Sequence, residues 1–246
     1  MVNADHDAQL RLLDLQATDT VLAQLAHRRR NLPEIAAIAD QTVRDADLFN
    51  EQIDAETRLA DVDSDQRRLE GEIDTVRARA ARDEQRLQAG GVSKELEGLQ
   101  HEIATLARRQ TTLEDELLEV MERREEVEAD LAKVRLARDE LAATIAELSA
   151  KRDAAFAEID AAIEERTDER TIRRTGVPDD LLALYEKARG HGGGIGAAIL
   201  KARRCEGCHI ELSGSELNSV RAAAPDAVIR CDNCRRILIR TAESGL

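Results

Sequence analysis

Four cysteines stand near the end of this 246-residue chain, in two short runs, Cys205-Glu206-Gly207-Cys208 and Cys231-Asp232-Asn233-Cys234. A CxxC run places two sulfurs on one tight turn, and two such turns can close a tetrahedral cage. Zinc suits that cage, because it takes thiolate sulfur at about 2.3 Å and imposes no other geometry. Disulfide or redox chemistry is the competing use. A reducing compartment and two separated pairs weigh against it. Four thiolates saturate the ion and leave no position for water or substrate, so one structural zinc held by Cys205, Cys208, Cys231 and Cys234 is expected. His209 is read as a spectator beside the first pair, and His191 as a solvated loop residue. No Ser/His/Asp arrangement or isolated reactive cysteine is present, so neither an enzyme nor a small-molecule substrate is expected.

Cations cluster around the cysteines. Residues 201–240 carry eight Lys/Arg against five Asp/Glu, a net of +3, in a chain whose formal charge is −14. Lys201, Arg203, Arg204, Arg230, Arg235, Arg236 and Arg240 are therefore candidate nucleic-acid contacts. Two facts oppose that use. Four thiolates on zinc add about −2, and no aromatic lies in this segment to stack on a base. Tyr185 lies upstream, with packing beneath the metal module as its default role.

The elements that must carry these groups follow from local pattern. "HIEL", "AVIRC" and "RILIR" read as short strands, and Ser213-Gly214-Ser215-Glu216 reads as a capping box opening a helix near 215–223. The result is a small β-rich C4 zinc ribbon over 197–246, with a core too small to fold without its metal. Upstream, Gly176 and Pro178 end a long helix, Asp179-Asp180 open a short one that Gly190 closes, and a Gly-rich connector fills the span to 196. That connector lacks the GxxxxGK[ST] pattern of a phosphate loop.

Residues 1–175 are read as a coiled-coil helical hairpin. From Leu96 to Arg166 apolar residues recur in alternating steps of three and four, broken only at Gln110, Arg124, Arg138, Arg152 and Arg166 itself. That is a coiled-coil seam, and a polar residue returning to the same heptad position is a device for fixing register. The first half repeats the pattern less cleanly through Leu59, Val62, Leu69, Ile73 and Val76. Gly90-Gly91 marks a turn near 89–93, which favours a long antiparallel hairpin over a parallel dimer of single helices, and Pro33 marks a kink near 31–33. A composition of 35% charged and 1% aromatic residues fits such helices better than a compact globule. No apolar run is long enough to cross a bilayer, so a cytoplasmic protein without membrane contact is expected.

Four stretches, "VSKELEGLQHEI", "VPDDLLALYEKAR", "CEGC" and "CDNCRRIL", resemble the bacterial family of C4-type zinc-ribbon proteins built on a long coiled-coil hairpin. The resemblance spans nearly the whole chain and assigns zinc to the same four cysteines. It implies a binding role, since a member in flagellated bacteria is an adaptor for a flagellin transcript and for parts of the transcription and export machinery. Two positions depart from the family pattern. Arg235 replaces the glycine that usually follows the last cysteine, and Leu96 replaces a tyrosine at the tip. The tip residues Val92, Lys94, Glu95 and Leu96 are candidate partner contacts. The expected function is a zinc-binding adaptor or scaffold for protein partners, with RNA binding through the basic ribbon as the alternative.

Overall fold

The computed structural model describes residues 2–246, which form two compact units, one of residues 2–35 with 150–246 and one of 36–149. Five helices and four short strands follow in the order α1 (His6–Arg30), α2 (Pro33–Gln88), α3 (Ser93–Thr175), α4 (Asp179–His191), β1 (Ala197–Lys201), β2 (Arg204–Cys205), α5 (Gly214–Ala222), β3 (Ile229–Arg230) and β4 (Ile237–Ile239).

Unit 36–149 is the antiparallel hairpin. The seam closes as expected: Leu69 and Ile73 of α2 pack with Leu113 and Val120 of α3, all buried, with Val62, Val76 and Leu117 at their edges. Gly90 turns the chain at φ +82°, a left-handed conformation that a Cβ would penalise. The polar seam residues reach for carboxylates. Arg124 donates to Asp63 at 2.7 Å, and Arg138 donates to Asp45 at 3.0 Å and to Gln52 at 2.7 Å. Together with Arg77–Glu114, Arg79–Glu102 and Arg135–Glu56 they link α2 to α3 at one antiparallel register. Exposed pairs like these add little stability, but a shifted register would strand them. Arg124 and Arg138 take the part expected from the seam spacing, whereas Gln110, Arg152 and Arg166 bond Glu114, Asp153 and Glu169 within α3.

In the other unit the helical arm breaks where Pro33 requires it. Asn31 caps α1 and Pro33 opens α2, where its missing N–H costs nothing. The strands order as β2-β1-β4-β3, with β1 parallel to β4 and the remaining pairs antiparallel. Alternation along β1 and β4 divides two cores. Ala197, Ile237 and Ile239 face one way, onto Leu12 and Leu15 of α1 and Leu181 and Tyr185 of α4. Ala198, Leu200 and Leu238 face the other, onto Cys205, Cys231 and Leu217 and Val220 of α5. All three residues of β4 are therefore buried, as befits a strand covered on both faces.

Several expectations need correction here. The "AAILK" segment is strand β1 and the centre of the sheet, although its sequence carries no turn signal after it. "HIEL" forms only a bridge between Glu211 and Arg204. The short helix α4 runs through Gly190 and is capped by Gly192. The Gly-rich segment is packed at its two ends, Gly192 and Gly196, and open at Gly193 and Gly194 between them. A Cβ on Gly192 would collide with the Ile195 carbonyl oxygen, and one on Gly196 would lie 2.7 Å from that of Tyr185. The capping box of α5 forms as expected, Ser213 and Glu216 bonding each other's backbone N–H.

Candidate metal centre

The two knuckles repeat each other bond for bond. In the first, the His209 N–H donates to the Cys205 carbonyl at 2.7 Å and the Cys205 N–H donates to Ile210 at 3.1 Å. In the second, Arg235 N–H donates to the Cys231 carbonyl at 2.8 Å and Cys231 N–H donates to Arg236 at 2.9 Å. The residue after each second cysteine takes a left-handed backbone, His209 at φ 61° and Arg235 at φ 62°. Neither is glycine, so each knuckle closes at a local cost of about 1–2 kcal/mol.

The four sulfurs all lie within 4.8 Å of one another. Cys205 to Cys234 and Cys208 to Cys231 are each 3.8 Å. A regular tetrahedron with metal–sulfur bonds of about 2.3 Å has edges of about 3.8 Å. A disulfide would require a separation near 2.0 Å. These cysteines are the ligand set of one structural zinc ion. Burial pushes the Cys205 thiol up to about 12 and the Cys231 thiol up as well. Burial also acts on Cys234, yet that thiol is held low by the Arg236 backbone N–H and by hydrogen bonds from the other three. The cage is thus dry on one side and anchored to backbone donors on the other, and a divalent cation is what lets four sulfurs ionise together.

The structure sorts the basic residues into three kinds. Arg236 is a staple: its guanidinium donates to the carbonyls of Ile195 (3.2 Å), Gly207 (2.6 Å) and Gly192 (2.5 Å). Arg240 likewise binds the carbonyls of Ala223, Ala224, Pro225 and Ala227. Lys201 pairs with Glu243 at 2.9 Å, and Arg203 stands 3.9 Å from Glu211. Arg204, Arg230 and Arg235 are exposed, with no carboxylate partner among the described residues. At the hairpin tip Val92 is 68% exposed, Lys94 and Glu95 are exposed, and Leu96 is half-buried.

Sequence reasoning missed what supports the cage from behind. Asp19 of α1, 3% exposed, accepts from the Tyr185 hydroxyl at 2.6 Å, from Arg170 at 2.6 and 3.3 Å, and from Arg189 at 3.4 Å. Gln16 accepts from Tyr185 at 3.2 Å and from the backbone N–H of Gly196 at 2.7 Å, where β1 begins, while its amide donates to the Gly194 carbonyl at 3.1 Å. Burial, followed by the bond to Asp19, raises the Tyr185 hydroxyl pKa far above its ordinary value, and the bond to Asp19 raises that of Arg170. The aromatic ring packs beneath the sheet, its default role, and the carboxylate ties α1, α3 and α4 together.

Comparison with known proteins agrees with this architecture. A CT398-like coiled coil hairpin domain matches residues 15–193, and a C4-type zinc ribbon domain matches residues 204–238. An uncharacterised protein of Mycobacterium tuberculosis is 41% identical over 235 residues, covering 94% of this chain and 95% of its own. A solved structure from Mycobacterium smegmatis superposes with a TM-score of 0.89 at 39% identity, covering 97% of this chain and all of the other. The CT398 structure from Chlamydia trachomatis shares the fold, with a TM-score of 0.73 at 19% identity over 96% of this chain and 98% of its own.

Proposed function

We propose, from the premise that this chain belongs to the CT398-like coiled-coil hairpin family with a C4-type zinc ribbon, that it is a non-enzymatic adaptor for protein partners, acting in the cytoplasm. The observation that carries this proposal is a metal cage closed by four sulfurs, paired with an exposed apolar side chain, Val92, at a hairpin tip otherwise rich in charge. A saturated ion supplies rigidity rather than Lewis acidity. Single exposed apolar residues are ordinary, as Ile172 and Leu136 show here, and it is the place of Val92 at the apex that suits it to contact with another protein. No helix among the described residues is long and apolar enough to cross a membrane.

RNA binding through the ribbon has less support than its seven candidate cations suggest. Arg236 and Arg240 are committed to backbone carbonyls, and Lys201 to Glu243.

The test is a photoreactive side chain placed at Val92 in living cells, with the same group at the exposed Glu119 as control. Discrete protein adducts from position 92, absent from position 119 and lost on Lys94→Glu, are expected. Equal labelling from both positions, or RNA as the main adduct, contradicts the adaptor role. So does turnover of a nucleotide or ester that Cys231→Ser abolishes.

A further inference from the structure

A pocket of about 670 Å³ lies between the C-terminal half of α4 and the second knuckle. Its cationic lining is Lys187, Arg230 and Arg235, with Arg236 behind them, and no Asp or Glu contributes to it. This is unusual in a chain of charge −14. Several exposed arginines elsewhere pair with carboxylates, as Arg68, Arg77 and Arg109 do, while others such as Arg204 do not. Lys187, Arg230 and Arg235 have none among the described residues.

Zinc with four thiolates carries about −2, so compensation of the metal site can absorb two of the four cations at the pocket, and no carboxylate lines the pocket to take up the rest. The walls are also fixed to each other, because Arg236 bonds both Gly192 and Ile195, which follow α4, and Gly207 of the first knuckle. Half-buried Leu184 and buried Ala188 give the pocket an apolar side, and Asn233 adds an amide. His191 places Nδ1 2.7 Å from the Lys187 carbonyl, so that nitrogen carries the proton.

We infer that this pocket binds a small phosphorylated ligand of nucleotide size, its phosphates held by Lys187, Arg230 and Arg235. Its volume is that of small-molecule sites, roughly 300–1,000 Å³, and guanidinium forks match phosphate oxygens in pairs. A polynucleotide track would instead want an open groove and stacking aromatics. The ligand is bound and not turned over, since the one thiol at the pocket, Cys234, belongs to zinc. The inference is independent of the adaptor proposal.

The test titrates zinc-loaded, full-length protein with ATP, with pyrophosphate and with a short single-stranded RNA, read by calorimetry and by melting temperature. ATP and pyrophosphate are expected to bind and to raise the melting temperature. Lys187→Gln and Arg230→Gln should each weaken binding about tenfold. Arg235→Gly should weaken it as much while relaxing a left-handed backbone position, so loss of binding there cannot come from unfolding. Absence of saturation by both ATP and pyrophosphate at millimolar concentration overturns the inference. Wild-type affinity in all three variants overturns it too, as does RNA that displaces ATP with an affinity rising with its length.

Discussion

Replacing Asp19 by asparagine keeps the shape of that side chain and removes its charge. In the folded unit the carboxylate is 3% exposed and receives Tyr185, Arg170 and Arg189. An amide can accept from one side only, and its NH2 would face a donor. Removing one member of a buried, hydrogen-bonded charge pair costs about 3–5 kcal/mol. Arg170 retains Glu186 at 2.5 Å, which places the expected loss near the lower end, about 3 kcal/mol, or about 150-fold in the folding equilibrium. The chain offers its own reporter. Tyr185 is the only tyrosine and there is no tryptophan, so tyrosine emission follows this core and nothing else. Denaturant titration of Asp19→Asn should show an earlier midpoint with an unchanged slope. A double-mutant cycle with Arg170→Met should return a coupling above about 1 kcal/mol. A loss below about 1 kcal/mol for the single variant would refute the view that this carboxylate binds the helices to the sheet.

Three further outcomes follow from the same geometry. Arg235→Gly and His209→Gly each relieve a left-handed backbone, so either should slow zinc transfer to a chelator and stabilise the ribbon by about 1 kcal/mol; faster transfer would contradict the knuckle geometry. Gly196→Ala places a Cβ 2.7 Å from the Tyr185 carbonyl oxygen and 2.8 Å from its ring, and should destabilise the sheet by about 1–3 kcal/mol in the same tyrosine titration. Burial pushes the Cys205 thiol up to about 12, so near neutral pH zinc must displace its proton. Zinc affinity should therefore fall steadily from about pH 8 to about pH 6 in a competition titration, and a flat profile would count against thiolate ligation.

The parts legible in the sequence were those specified by neighbours in the chain. The heptad stripe, Gly90-Gly91, Pro33, the two CxxC runs and the Ser213–Glu216 box each carry their instruction within a few residues. What escaped was specified at long range. Strand β1 ends in the turn Ala202-Arg203, both at positive φ (46° and 66°), where a two-residue hairpin ordinarily uses Asn-Gly. That turn is held instead by the chain's last residues, through Ala202 N–H to Glu243 and Arg203 N–H to Ser244, each 2.8 Å. Gln16 and Asp19 escaped because polar residues on a charged helix read as surface. Their partners lie more than 150 residues away, and only a covered second face on the sheet reveals why they are buried. The same face revises one expectation about stability. The ribbon stands on α1 and α4 as well as on its metal.

Amide hydrogen exchange with and without a zinc chelator, on material whose native mass has first been measured, tests this two-sided support most directly. One zinc per chain is expected. Stripping it should expose the two knuckles and α5 while amides of α1 and α4 stay protected. A metal-free protein with intact knuckles, or loss of protection in α1 and α4 together with the knuckles, would contradict it.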